Sequence, residues 1–127
     1  MLTKSDVIAP HGGTLVDRTV PAEERQERLR EAIELPRVSL GPRTISDLQM
    51  ISTGVFSPLE GFMHKEEYES VVEDMRLTDG LAWSLPVTLA ASEDTARTLR
   101  EGSEVALVDG QRSHILRVIW HLDIREE

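Results

Sequence analysis

The sequence predicts an α+β fold: a mainly β, barrel-like body with several flanking helices. Three observations lead there. Apolar residues recur at helical spacing in the first half, most clearly Tyr68, Val71, Val72 and Met75. In the second half the period shortens to two, with Leu85, Val87, Leu89 and Ala91 alternating as on a strand with one buried face. A strand over Glu104 to Val108, the turn Asp109-Gly110 and a strand over Arg112 to His121 then read as a hairpin.

The elements follow in order. His11 to Arg18, HGGTLVDR, reads as a turn leading into a short strand. Pro21 suits the first position of a helix, with Glu23 and Glu24 in its first turn, running to about Glu34 and stopping before Pro36. Its apolar stripe of Ala22, Leu29, Ala32 and Ile33 is narrow, which places it on the surface. A short strand is expected around Val38 to Leu40. Thr44 and Asp47 stand at capping-box spacing, and Ile45, Leu48 and Ile51 repeat behind them in a helix that Gly54 can close. The helix through Tyr68 to Met75 has Glu66 and Glu67 in its first turn. Ser92, Glu93 and Asp94 start a last short helix through Leu99, with Gly102 available to end it.

Composition narrows the function classes. The 127 residues suit one domain with a core of its own. Cysteine is absent, so disulfides, thiolate metal sites and cysteine nucleophiles are excluded, and a cytoplasmic setting is expected. The start has no signal-peptide pattern, and no apolar run approaches the roughly 20 residues that span a bilayer, so no membrane partner is expected. A net charge of −9 opposes phosphate binding, so nucleic acid is not the expected partner. Seven acids between Glu60 and Asp79, against Lys65 and Arg76, read as a solvated face.

The four histidines, His11, His64, His114 and His121, lack metal-ligand spacing, and His114 and His121 fall on opposite faces of one expected strand. No P-loop, nucleophile elbow or dinucleotide fingerprint is present. Gly12-Gly13 reads as a turn before it reads as a phosphate cradle. Arg18, Arg43 and Arg76 read as surface ion pairs, and Trp83 and Trp120 as core or rim. The unusual stretch is TGVFSPLEGF, Thr53 to Phe62, which holds both phenylalanines of the chain. Ser57-Pro58-Leu59-Glu60 has capping-box form, serine first, proline at the first helical position and glutamate at the third, and Gly61 can end that single turn. Phe56 and Phe62 then anchor the turn rather than perform chemistry.

This stretch and its surroundings resemble the amino-terminal domain of the ATP sulfurylase (sulfate adenylyltransferase) family. The pieces run in order: Pro10-His11-Gly12-Gly13-Thr14-Leu15-Val16-Asp17-Arg18, Asp47 to Gly54, Phe56-Ser57-Pro58-Leu59-Glu60-Gly61-Phe62-Met63, Tyr68 to Val72 with Met75-Arg76-Leu77, and Trp83 to Leu89. The Glu104 to Trp120 hairpin also fits, so the likeness covers nearly the whole chain. The resemblance implies a PUA-like pseudo-barrel over residues 1–127 that precedes a nucleotide-binding catalytic domain. The complete enzyme joins ATP and sulfate into adenosine 5′-phosphosulfate and pyrophosphate, with Mg²⁺. The family's Gln-x-Arg-Asn, two-histidine and Gly-Arg-Asp-His motifs do not occur here, and the chain ends about where the connection to the catalytic domain is expected. No catalytic, cofactor-binding or metal residue is therefore carried over. The expected role is support, with Phe56, Ser57, Pro58, Leu59, Gly61 and Phe62 as a loop at the boundary with the catalytic domain. His11, Gly12, Gly13 and Arg18 are weaker candidates for the same boundary. The alternative is a stand-alone PUA-like RNA-binding module.

Overall fold

A computed structural model describes residues 7–110 and the backbone of a strand at 115–119. The order is α1 (Arg25–Ile33), β1 (Arg37–Leu40), α2 (Pro42–Thr53), α3 (Lys65–Asp74), α4 (Glu93–Arg97), β2 (Val105–Asp109) and β3 (Ile115–Ile119). It is a mixed α+β arrangement. Among the described residues four helices accompany one three-stranded sheet, so the β content is smaller than the sequence suggests. None of these helices is long and apolar enough to cross a membrane.

The sheet has β2 in the middle, parallel to β1 and antiparallel to β3. Val105, Ala106, Leu107 and Val108 are all buried, as a central strand covered on both faces should be. Val105 and Leu107 join Val38 and Leu40 of β1 and Leu48 of α2 in one core cluster. On the other side α1 lies against β2 and β3. A second cluster forms without any strand: Ile51, Leu59, Val71, Leu77 and Val87. Burying each such aliphatic side chain is worth about 1.5–3 kcal/mol. Phe62 packs against both clusters and joins the sheet core to the helical one.

Several expectations need correction. No strand forms over Thr14 to Arg18. The Val16 and Arg18 amides bond instead to Ser57 Oγ and the Ser52 carbonyl, partners that belong to no strand. The first helix starts at Arg25, because Pro21 and Ala22 accept turn bonds from Glu24 and Arg25 before helical bonding begins. It is a surface helix as expected, with only Ala32 buried. The second helix starts at Pro42 behind Gly41, upstream of the Thr44/Asp47 pair, since proline at the first position already sets the helical φ. It does end at Gly54, in left-handed conformation.

In α3 only Val71 of the four-residue stripe is fully buried. Met75 caps the helix in left-handed conformation, and Val72 and Met75 face solvent. Leu85 to Ala91 forms no strand: the Met63 amide reaches the Val87 carbonyl, and among the described residues no strand pairs with this run. Ser92 caps α4 as expected, accepting from the Thr95 amide. The β2–β3 pairing is antiparallel as expected, but the Gly110 amide goes to the Leu40 carbonyl and so still belongs to the edge with β1. His114, Trp120 and His121 lie outside the described residues.

Candidate interface: two loops around a buried serine

Ser57 does not cap a helix. Residues 57–61 contain no helical turn, and the Ser57–Pro58 bond is cis. The serine is instead 1% exposed, and its hydroxyl works in two directions. It donates to the Gly54 carbonyl at 2.6 Å and accepts from the Val16 amide at 2.9 Å. A capping box is a local pattern. Here the oxygen meets a donor 41 residues away, which no local spacing can show.

That bond brings the two candidate segments together. The Arg18 amide donates to the Ser52 carbonyl at 2.9 Å, fixing the run of 15–18 along the end of α2. Gly54 permits the approach. Its φ is +86°, and a Cβ there would stand 2.6 Å from Leu15 Cδ1 and 3.1 Å from the Val16 carbonyl oxygen. Gly12, at φ +80°, packs beside Leu81 and Pro58, where a Cβ would come within 3.2 Å of Leu81 Cδ2. Gly13 closes a turn through its amide to the Pro10 carbonyl and has open space around it.

Aromatic rings line the same junction. His11 Nε2 lies 2.6 Å from the Ala82 carbonyl, and its ring centroid is 5.8 Å from that of Trp83. Trp83 in turn takes Phe56 edge-on, also at 5.8 Å. Edge-to-face pairs of this kind contribute about 0.5–1.5 kcal/mol beyond their buried area. Phe56 and Phe62 are both half-buried against this domain's own core, and Leu59 is buried in it. Ser57 and Leu59 are thus interior residues. Of the candidate residues, Pro58, Gly61 and the two rings keep partial exposure, while His11, Gly12, Gly13 and Arg18 are exposed. Sequence reading missed Trp83 as the ring between His11 and Phe56. Its only local signal was aromatic scarcity.

The remaining chemistry is structural. Asp17 Oδ1 accepts from the Thr19 hydroxyl at 2.7 Å and the Thr19 amide at 2.9 Å, and these bonds, the hydroxyl's first, hold its carboxyl below the ordinary aspartate value. Such a depressed group contributes above the ordinary value and loses its contribution as pH falls through the depressed one. Thr19→Val should therefore move the Asp17 midpoint back upward in an NMR pH titration. An unchanged midpoint would refute the hydroxyl's role. Arg76 Nη1 donates to the Gly80 carbonyl at 2.9 Å and so ties down a turn, while Arg18 and Arg43 are exposed. Among the described residues no group of three or more His, Asp or Glu side chains is placed to hold a metal ion.

Comparison with known proteins follows the same outline. A family model described as a PUA-like domain matches residues 8–126. Over 104 residues the chain is 57% identical to the sulfate adenylyltransferase of Synechococcus elongatus, covering 82% of this chain and 26% of that protein. Over 115 residues it is 49% identical to the sulfate adenylyltransferase of Microcystis aeruginosa, covering 91% and 30%. Among solved structures, a hexameric APS kinase from Thiobacillus denitrificans superposes with a TM-score of 0.85 at 33% identity, over 95% of this chain and 24% of that one. The chain thus spans about a quarter to a third of the length of these proteins.

Proposed function

Because the chain belongs to the PUA-like domain family, we propose that it serves as the non-catalytic amino-terminal domain of a sulfate adenylyltransferase in the cytoplasm. One observation carries this reading: 57% identity over 104 residues, confined to 26% of the Synechococcus elongatus enzyme. In this reading the three-stranded sheet is part of a PUA-like pseudo-barrel, and the domain packs against a nucleotide-binding catalytic domain. The parent reaction converts ATP and sulfate to adenosine 5′-phosphosulfate and pyrophosphate. Sulfate is a weak nucleophile, so the parent must hold it in line with the α-phosphorus and offset the crowding of negative charge. ATP and Mg²⁺ are assigned to the catalytic domain. This chain contributes a rigid platform whose loops at His11 to Arg18 and Phe56 to Phe62 lie together at the boundary.

A chimera tests the reading. This chain replaces the matching 104-residue portion of the Synechococcus elongatus enzyme, and pyrophosphate release is followed with ATP and sulfate. The chimera should keep activity within about tenfold of the parent, a barrier change of at most roughly 1.4 kcal/mol. A folded chimera with no sulfate-dependent release would overturn the proposal.

A further inference from the structure

Half-burial of Phe56 and Phe62 in this domain's own core leaves open what forms the middle of the contact with the catalytic domain. The exposed apolar side chains narrow the choice. Leu15 is 58% exposed, Met50 37% and Val55 65%, and all three sit at the C-terminal end of α2. Leu15 lies over Gly54, Val55 follows it directly, and the Phe56 amide donates to the Met50 carbonyl at 3.1 Å, folding the chain back over the helix end. The same helix carries a shallow groove lined by Ile45, Leu48, Gln49, Ser52 and Thr53.

Charge separates this ledge from the exposed apolar residues of α1 and α3. Gln49 to Leu59 contains no charged side chain, in a chain of net charge −9. Leu29 and Ile33 stand among Arg28, Arg30, Glu31 and Glu34, and Val72 and Met75 among Glu69, Glu73, Asp74 and Arg76. Covering those patches would strip water from ionised groups, whereas interface centres are depleted of charge. The ledge also adjoins the loop already placed at the boundary.

We infer that the ledge formed by Leu15, Met50 and Val55 is the apolar centre of the contact with the catalytic domain of a sulfate adenylyltransferase. This rests on the support-domain reading above. The occupant is the larger part of such an enzyme, since the chain accounts for only 26% of the Synechococcus elongatus protein. Its matching surface is apolar and uncharged.

The absence of cysteine makes the test direct, because a single introduced thiol is the only one in this chain. Val55→Cys and, as a control on α3, Val72→Cys are labelled with a maleimide in the isolated chain and in the chimera, and the sites are read by mass spectrometry. At position 55 labelling should be at least about tenfold slower in the chimera than in the isolated chain. At position 72 the two rates should agree. Equal rates at position 55 in an active chimera would overturn the ledge and leave the support-domain reading standing. A chimera without sulfate-dependent pyrophosphate release would overturn that reading, and the ledge with it. Labelling of Val55→Cys that is slow in the isolated chain and accelerates on dilution would assign the ledge to a second copy instead.

Discussion

Replacing Gly54 by alanine is expected to cost about 2–4 kcal/mol of folding stability. Two terms add. A left-handed backbone is unfavourable by roughly 1–2 kcal/mol for a residue with a Cβ, and Gly54 sits at φ +86°. The new methyl would also stand 2.6 Å from Leu15 Cδ1 and 3.1 Å from the Val16 carbonyl oxygen. Leu15 is mostly exposed and can swing away, but Val16 is held by its amide bond to Ser57 and cannot. The loop must therefore lift from the helix end. Thermal unfolding followed by circular dichroism should show the midpoint falling by about 10 °C, given some 3–5 °C per kcal/mol at this chain length. Adding Leu15→Ala to Gly54→Ala should restore only part of the loss, because the carbonyl contact stays. A Gly54→Ala midpoint within about 2 °C of the starting protein would mean that the two loops are not packed as described.

Ser57→Ala should be the next most damaging change at this junction. It removes an acceptor from the Val16 amide and a donor from the Gly54 carbonyl in one step. The Gly54 carbonyl keeps the backbone amide of residue 57 at 3.0 Å, but the Val16 amide is left without its acceptor, and such a loss costs about 1–3 kcal/mol, more than the net worth of the bond itself. The pairing of His11 with Trp83 depends on the same loop, so the near-ultraviolet signal of tryptophan should weaken before the main unfolding transition. The double variant Gly54→Ala/Ser57→Ala should lose less than the two single losses combined, since either change already frees the same loop. Full additivity would show that the serine and the glycine act independently, contrary to the shared contacts at Val16.

Local signals carried most of what the sequence disclosed. β1, the end of α2 at Gly54, the start of α3, the serine cap of α4 and the pairing of β2 with β3 follow from spacing, capping residues and turn chemistry, all within a few residues. The failures are cases where a group's partner is remote. Ser57 has capping-box spacing, yet its hydroxyl is claimed by Val16 across 41 residues. Leu85 to Ala91 alternates like a strand, but alternation only makes a strand when another edge lies alongside, and here the chain crosses the helical core with Val87 pointing in. Met75 fits a helical stripe but stands at the helix end, where the chain turns left-handed and the side chain leaves the core. At the candidate interface the residue types were legible. Their grouping was not, because His11 reaches Ala82 over 71 residues.

The parallel pairing of β1 with β2 bears on synthesis. Every pair in that ladder joins residues 69 positions apart, from Arg37 with Ala106 to Leu40 with Asp109. On a ribosome, β1 emerges long before its partner exists, and contacts this distant slow folding because the intervening chain must first be ordered. The helices α2 and α3, with the loop that Ser57 fastens, lie wholly inside that interval and hold a core cluster of their own. They can therefore gather while translation continues, giving the waiting strand a surface to rest on. The sheet is then the last part of the nascent domain to close, once β2 has cleared the exit tunnel.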